Sequence, residues 1–213
     1  MRQAITAWAL AAAASAGAAE LTPTETLWLR GAAPVLAAAE ARGLPLDIVV
    51  QPQPAGGLAP LALGFVDGRC KFVLSMRSNP EAEATLERLP AGHENAAFEL
   101  MAAHEIAHCE RHVQGAWHGP VAASADAQRQ AMAAERREEA WADLAGLAWI
   151  QARRPAEYAA LHAWLVAERR RERVPGSEHD TLDWVDAAAG GLDTAAPAAA
   201  AAALWARVAA AAR

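Results

Sequence analysis

His104-Glu105-Ile106-Ala107-His108 is the stretch of this chain best equipped for chemistry. On a helix, a spacing of four residues places both imidazoles on one face, one turn apart. Two imidazoles so placed can grip one zinc ion, and Glu105 beside them can take a proton from a water on that ion. A catalytic zinc needs three protein ligands and one open position, so a third ligand must come from elsewhere.

His112 lies one turn further along the same face. At 1.5 Å rise per residue it stands about 12 Å from His104, too far to share one ion. A glycine three residues after His108 and a histidine six residues after it would give another local site, but Arg111 and Gln114 fill those offsets. Glu139, in Glu139-Ala140-Trp141-Ala142-Asp143, is the better candidate. Glu139 and Asp143 share a helical face. Glu139 would complete the triad, and Asp143 would accept the second ring N–H of a ligand histidine and fix its tautomer. Asp143 stands among apolar residues, where a carboxylate wants a partner. The neighbouring Glu138 is expected to point into solvent.

At these residues the chain resembles a known group. An HExxH segment followed by ExxxD on a second helix is the gluzincin pattern of zinc peptidases. The run from His104 to His112 looks like the HExxHxxxRH segment of the CaaX-prenyl-protease and HtpX-like family, which has soluble periplasmic members, with Arg111-His112 one residue nearer the second histidine. The segment 139–146 is similar to that family's second segment, in which a glutamate is followed by an Ala-Asp pair and a glycine, here Glu139, Ala142, Asp143 and Gly146. The resemblance covers about a third of the chain. It implies a zincin-like fold, one Zn2+ held by His104, His108 and Glu139, Glu105 as general base and then acid, and Asp143 orienting a histidine. Family members also carry a later histidine, typically followed by proline. Here the nearest is His179, with Asp180 in place of the proline. The resemblance gives His179 two roles, a hydrogen bond to the developing oxyanion or a plug on the metal; a surface histidine is the third reading.

The elements that must position these residues are mostly helical. Thr22-Pro23-Thr24-Glu25 is a capping box for a helix over 23–42, with a kink near Pro34 and a stop at Gly43. Leu27, Trp28, Val35 and Leu36 are its expected packing stripe. Residues 46–50 read as a strand, and Asp67-Gly68 between two apolar runs signals a hairpin. A small antiparallel sheet of about three strands is therefore expected against the HExxH helix, giving an α+β fold that is predominantly helical. A peptide could add to an exposed edge strand beside the site, and the strand leading to Met76 is the candidate. Further helices are expected over 80–89, 94–114 and 124–154. Three more are expected over 156–173, 181–189 and 197–212, the last an Ala-rich tail without assigned chemistry. In the zinc helix Phe98, Met101, Ile106 and Val113 should face the core. The basic run 169–173 reads as a solvated helix end.

Composition bounds the rest. With 213 residues the chain suits one sizeable domain, taken as 20–213. The formal net charge of -6 argues against nucleic acid as a partner. Residues 1–19 read as a signal peptide: Arg2, an apolar run, then small residues. No later stretch is long enough to span a membrane. A periplasmic or secreted protein follows, and there Cys70 and Cys109 are expected to pair rather than stay free thiols. The leading expectation is an exported zinc endopeptidase acting on a peptide or protein substrate. The alternative is a zinc-containing binding or chaperone-like protein with little hydrolysis.

Overall fold

The computed structural model describes residues 20–51, 59–117, 125–171 and 173–211; the expected signal peptide lies outside them. Helix α1 (Pro23–Ala41) starts at the capping box, where Glu25 N donates to Thr22 Oγ1 and Thr22 N donates to Glu25 Oε2. It runs through Pro34 and stops before Gly43, whose φ of 74° is the left-handed conformation that ends helices. Its packing stripe is Trp28, Ala32, Val35 and Ala39, while Leu27 is exposed.

Strands β1 (Leu46–Val50), β2 (Leu61–Val66) and β3 (Arg69–Leu74) form one sheet in the order β1-β3-β2. Asp67 and Gly68 both have positive φ, as a two-residue hairpin turn requires, and β2 pairs antiparallel with β3. The sheet is mixed, however, and not antiparallel throughout: β1 pairs parallel with β3, Leu46 opposite Cys70. The hairpin's second strand carries the deepest side chains, Cys70, Phe72 and Leu74. It therefore takes the centre, and β1 joins its free side. Since β3 leads to Met76, the strand expected to receive a peptide is central; β2 is the edge beside the HExxH helix.

Helices α2 (Pro80–Glu87), α3 (Glu94–Val113) and α4 (Ala125–Arg153) follow. After a single 3-10 turn, Pro155–Glu157, come α5 (Tyr158–Arg171), α6 (Leu182–Ala187) and α7 (Pro197–Ala211). Helix α3 lies between two apolar clusters. Phe98, Ala102 and Ile106 pack on α1 and the sheet; Ala96, Ala97 and Leu100 pack on α4 and the helices behind it. Met101 is only half-buried and Val113 is exposed, so neither anchors the core. The flanking contacts are close because the facing residues are small. A Cβ at Gly31 would lie 2.5 Å from Phe98, and one at Gly146 would lie 2.9 Å from the Leu100 carbonyl oxygen. The disulfide Cys70–Cys109 joins β3 to α3 across 39 residues of sequence. Among the described residues no helix is long and apolar enough to cross a membrane.

Candidate metal centre

Close packing of α3 on α4 brings the three expected ligands together. His104 Nε2 and His108 Nε2 are 3.3 Å apart. The Glu139 carboxylate faces both, with Oε2 3.3 Å from His104 Nε2 and Oε1 3.4 Å from His108 Nε2. Donors about 2.0–2.1 Å from a tetrahedral zinc would be separated by about 3.3–3.4 Å. His104, His108 and Glu139 can thus hold a metal ion.

Hydrogen bonding at the far side of each ring supports this fit. His104 Nδ1 donates to Asp143 Oδ1 at 3.0 Å, and His108 Nδ1 donates to Glu138 Oε1 at 3.4 Å. A carboxylate acceptor fixes the proton on Nδ1 and leaves the Nε2 lone pair free. Two lone pairs and a carboxylate then converge on one point, an arrangement that needs a cation. Without metal, protons serve. Burial opposes charge on His104, but its bonds to Asp143 and Glu139 outweigh that and raise its pKa to about 10. For His108, burial is outweighed by bonds to Glu138 and Glu139, giving about 9. Burial would raise Glu139, yet the two histidines hold its carboxyl well below the usual range.

Asp143 is fully buried and accepts from three elements. Arg169 Nε donates to Oδ2 at 2.8 Å and Arg169 Nη2 to Oδ1; Thr181 Oγ1 donates to Oδ2 at 2.6 Å. Arg169 is therefore no solvated helix end. It follows Leu161 and Leu165 at helical spacing on the buried face of α5, a signal legible in the sequence but passed over. Thr181, just before α6, carried no such signal.

Glu138, too, is turned away from solvent. It is 2% exposed and accepts from Arg111 Nε at 2.5 Å as well as from His108. A residue adjacent to Glu139 points about 100° around α4, and there the last turns of α3 replace solvent.

Glu105 is half-buried and lines the same cavities as the ligands. Burial raises its carboxyl above the ordinary range, partly offset by the charges of His104 and His108. The cavity on the β2 side has a volume of about 350 Å³ and is bounded by Leu61, Leu63, Phe65 and Trp117 with the ligands. Another, of about 230 Å³, has Trp28, Leu100, Met101, Trp164 and Leu165 in its walls. His179 is exposed at the rim of both, its Nε2 3.8 Å from Glu139 Oε2. His112 stacks on Phe65 at 3.7 Å between ring centroids and is not among the ligands. His93 and His162 serve elsewhere, His93 beside Glu157 and His162 against the Val185 carbonyl.

Comparison of the chain with protein-family models, curated proteins and solved structures finds no match.

Proposed function

We propose that this protein is a zinc-dependent endopeptidase of gluzincin type, exported to a periplasmic or extracellular compartment. The observation that carries the reading is the convergence of His104, His108 and Glu139 within 3.3–3.4 Å of one another, with Glu105 at the same cavity. Zinc suits a donor set of two imidazoles and one carboxylate, and when bound it supplies a Lewis acid that polarises a carbonyl and acidifies water. The disulfide fits an oxidising compartment.

The chain's own residues supply the rest. Asp143 and Glu138 hold the two rings so that both Nε2 atoms face inward. Glu105 takes the proton of the attacking water and returns it to the amide nitrogen as the C–N bond breaks. Burial raises its carboxyl pKa, the direction that favours taking up the proton before handing it on. The free edge of β2 borders the site, so an extended substrate pairs with β2 and presents its carbonyl to the ligands. The smaller cavity, walled by Trp28, Leu100, Met101 and Leu165, accepts an apolar side chain. His179, exposed beside Glu139, would donate to the oxygen that gains charge.

The test is Glu105→Gln. Purified wild type should hold one zinc per chain and cleave casein or a peptide library. The variant should keep the zinc and lose cleavage by at least about 100-fold. Full activity in the variant would overturn the assignment of the base. A wild type that holds zinc yet cleaves nothing would favour a binding protein, and one that holds no zinc would overturn the site itself.

A further inference from the structure

The Ala-rich C-terminal helix reaches the metal centre through an unbroken line of contacts. Glu138 Oε1 accepts from His108 Nδ1, and Glu138 Oε2 accepts from Arg111 Nε. The Arg111 guanidinium lies over the Trp141 ring at 4.9 Å and the Trp205 ring at 5.4 Å, and the two indoles meet edge to face at 5.5 Å. Trp205 belongs to α7, and it is pinned there: its Nε1 donates to the Arg137 carbonyl at 2.7 Å, and its own carbonyl accepts from Trp184 Nε1 at 3.2 Å. Arg111 thus rests in the corner formed by two perpendicular indoles, one from α4 and one from α7.

We propose that Arg111 and Glu138 are positioning residues for the ligand His108, and that Trp205 extends this role to α7. The proposal rests on His108 being a metal ligand, but not on peptide cleavage. Physically, His108 can face the ion only while its Nδ1–H is held by Glu138. Glu138 is buried, and its other carboxylate oxygen is held by Arg111, which fixes the orientation of the carboxylate behind His108. Arg111 is a long side chain with many rotamers, and contact with both indoles selects the one that reaches Glu138. The tail therefore acts on the metal without touching it.

The test measures metal binding rather than turnover. Zinc affinity is read by competition with a chromogenic chelator, and ligand geometry by the visible spectrum of the cobalt-loaded protein. Glu138→Gln should weaken zinc by roughly 10- to 100-fold, the usual effect of losing a partner behind a ligand histidine. Trp205→Ala should weaken it by about 2- to 5-fold, as expected for one lost cation–π face, and should shift the cobalt bands. Trp205→Phe, which restores a ring face, should recover most of both. Val35→Ala, buried on α1 and outside this line, serves as the control for general destabilisation: it should lower Tm and leave both metal readouts unchanged. In a Glu138→Gln background, Trp205→Ala should have no further effect on affinity.

Multiplying effects in the double variant would overturn the proposal, as would a Trp205→Ala protein whose Tm falls while its cobalt spectrum stays that of wild type. Arg111→Gln gives a second route should Glu138→Gln fail to fold: normal zinc affinity in it is equally fatal. A wild type that takes up no metal fails the reading of the site itself, a different result from wild-type binding with unaltered variants.

Discussion

His104 and His108 present the same nitrogen to the same point, yet they are fixed by different means. His104 is held through its ring. Behind it stands Asp143, which also accepts from Arg169 and Thr181, so α3, α4, α5 and the entry to α6 meet at one carboxylate. His108 is held more lightly at the ring, by Glu138 with Arg111 alone behind it, both from α3 and α4. Its backbone compensates: the next residue, Cys109, is bonded to the central strand of the sheet. One histidine is oriented by a redundant polar network, the other by a single carboxylate and a covalent tether. A site can be made rigid either way, but the two ways should fail differently.

The largest difference should appear when each carboxylate is removed. Asp143→Ala leaves the Arg169 charge, the His104 Nδ1–H and the Thr181 hydroxyl without their acceptor in a buried place. Breaking such a pair from one side costs about 3–5 kcal/mol. Glu138→Ala strands fewer donors and leaves Arg111 against two indoles, and should cost less, about 1–3 kcal/mol. Urea unfolding of the metal-free variants measures both. Equal losses would mean that the Arg169 and Thr181 contacts add nothing, and the contrast between the rings would collapse.

How much of this was legible in the sequence follows from the range of each signal. The candidate ligand set, His104, His108 and Glu139, is a matter of spacing along two helices, and spacing is local. The same holds for the capping box at Thr22 and the Asp67-Gly68 turn. Glu138 was misjudged because the same spacing says only that it points away from Glu139. Whether it then meets water or α3 depends on how closely two helices pack, and that was set by Gly146 against Leu100, a long-range fact. Arg169 lay between these cases. Its register with Leu161 and Leu165 marks it as inward-facing, whereas the run of arginines around it is the pattern of a solvated helix end. Strand order was out of reach, since the ten-residue connection between β1 and β2 permits either neighbour. The cysteine pair was readable from compartment logic alone, and the structure adds why it matters: it pins the helix just beyond a ligand.

That tether supplies the next test. Replacing both Cys70 and Cys109 by alanine opens a crosslink between residues 39 apart, and in the chain-entropy account this costs about 4 kcal/mol. If the tether fixes His108, zinc binding should weaken in the metal-titrated protein, with the cobalt spectrum shifting as it does for Glu138→Gln. A double variant that loses stability and keeps wild-type affinity and spectrum would show that Glu138 alone suffices at His108, removing the backbone half of the contrast.

The smallest effect is the order in which the two rings lose their protons. In the metal-free protein the pKa of His104 is raised to about 10 and that of His108 to about 9, against about 6.5 in the unfolded chain. For groups raised on folding, the stabilisation is complete below about pH 6.5 and disappears as pH climbs through the folded values. The metal-free protein should therefore lose stability between about pH 6.5 and 10. Zinc binding runs the other way, because the ion requires both rings neutral: affinity should rise with pH, with close to two protons released per ion below about pH 9. Calorimetry in buffers of different ionisation enthalpy counts those protons. Ring-proton NMR of the metal-free protein gives the order. His108, with the weaker carboxylate contact and the charge of His104 beside it, should deprotonate first. The reverse order would mean that Glu138 holds its histidine at least as firmly as Asp143 does, despite having one cationic partner where Asp143 has an arginine and a threonine.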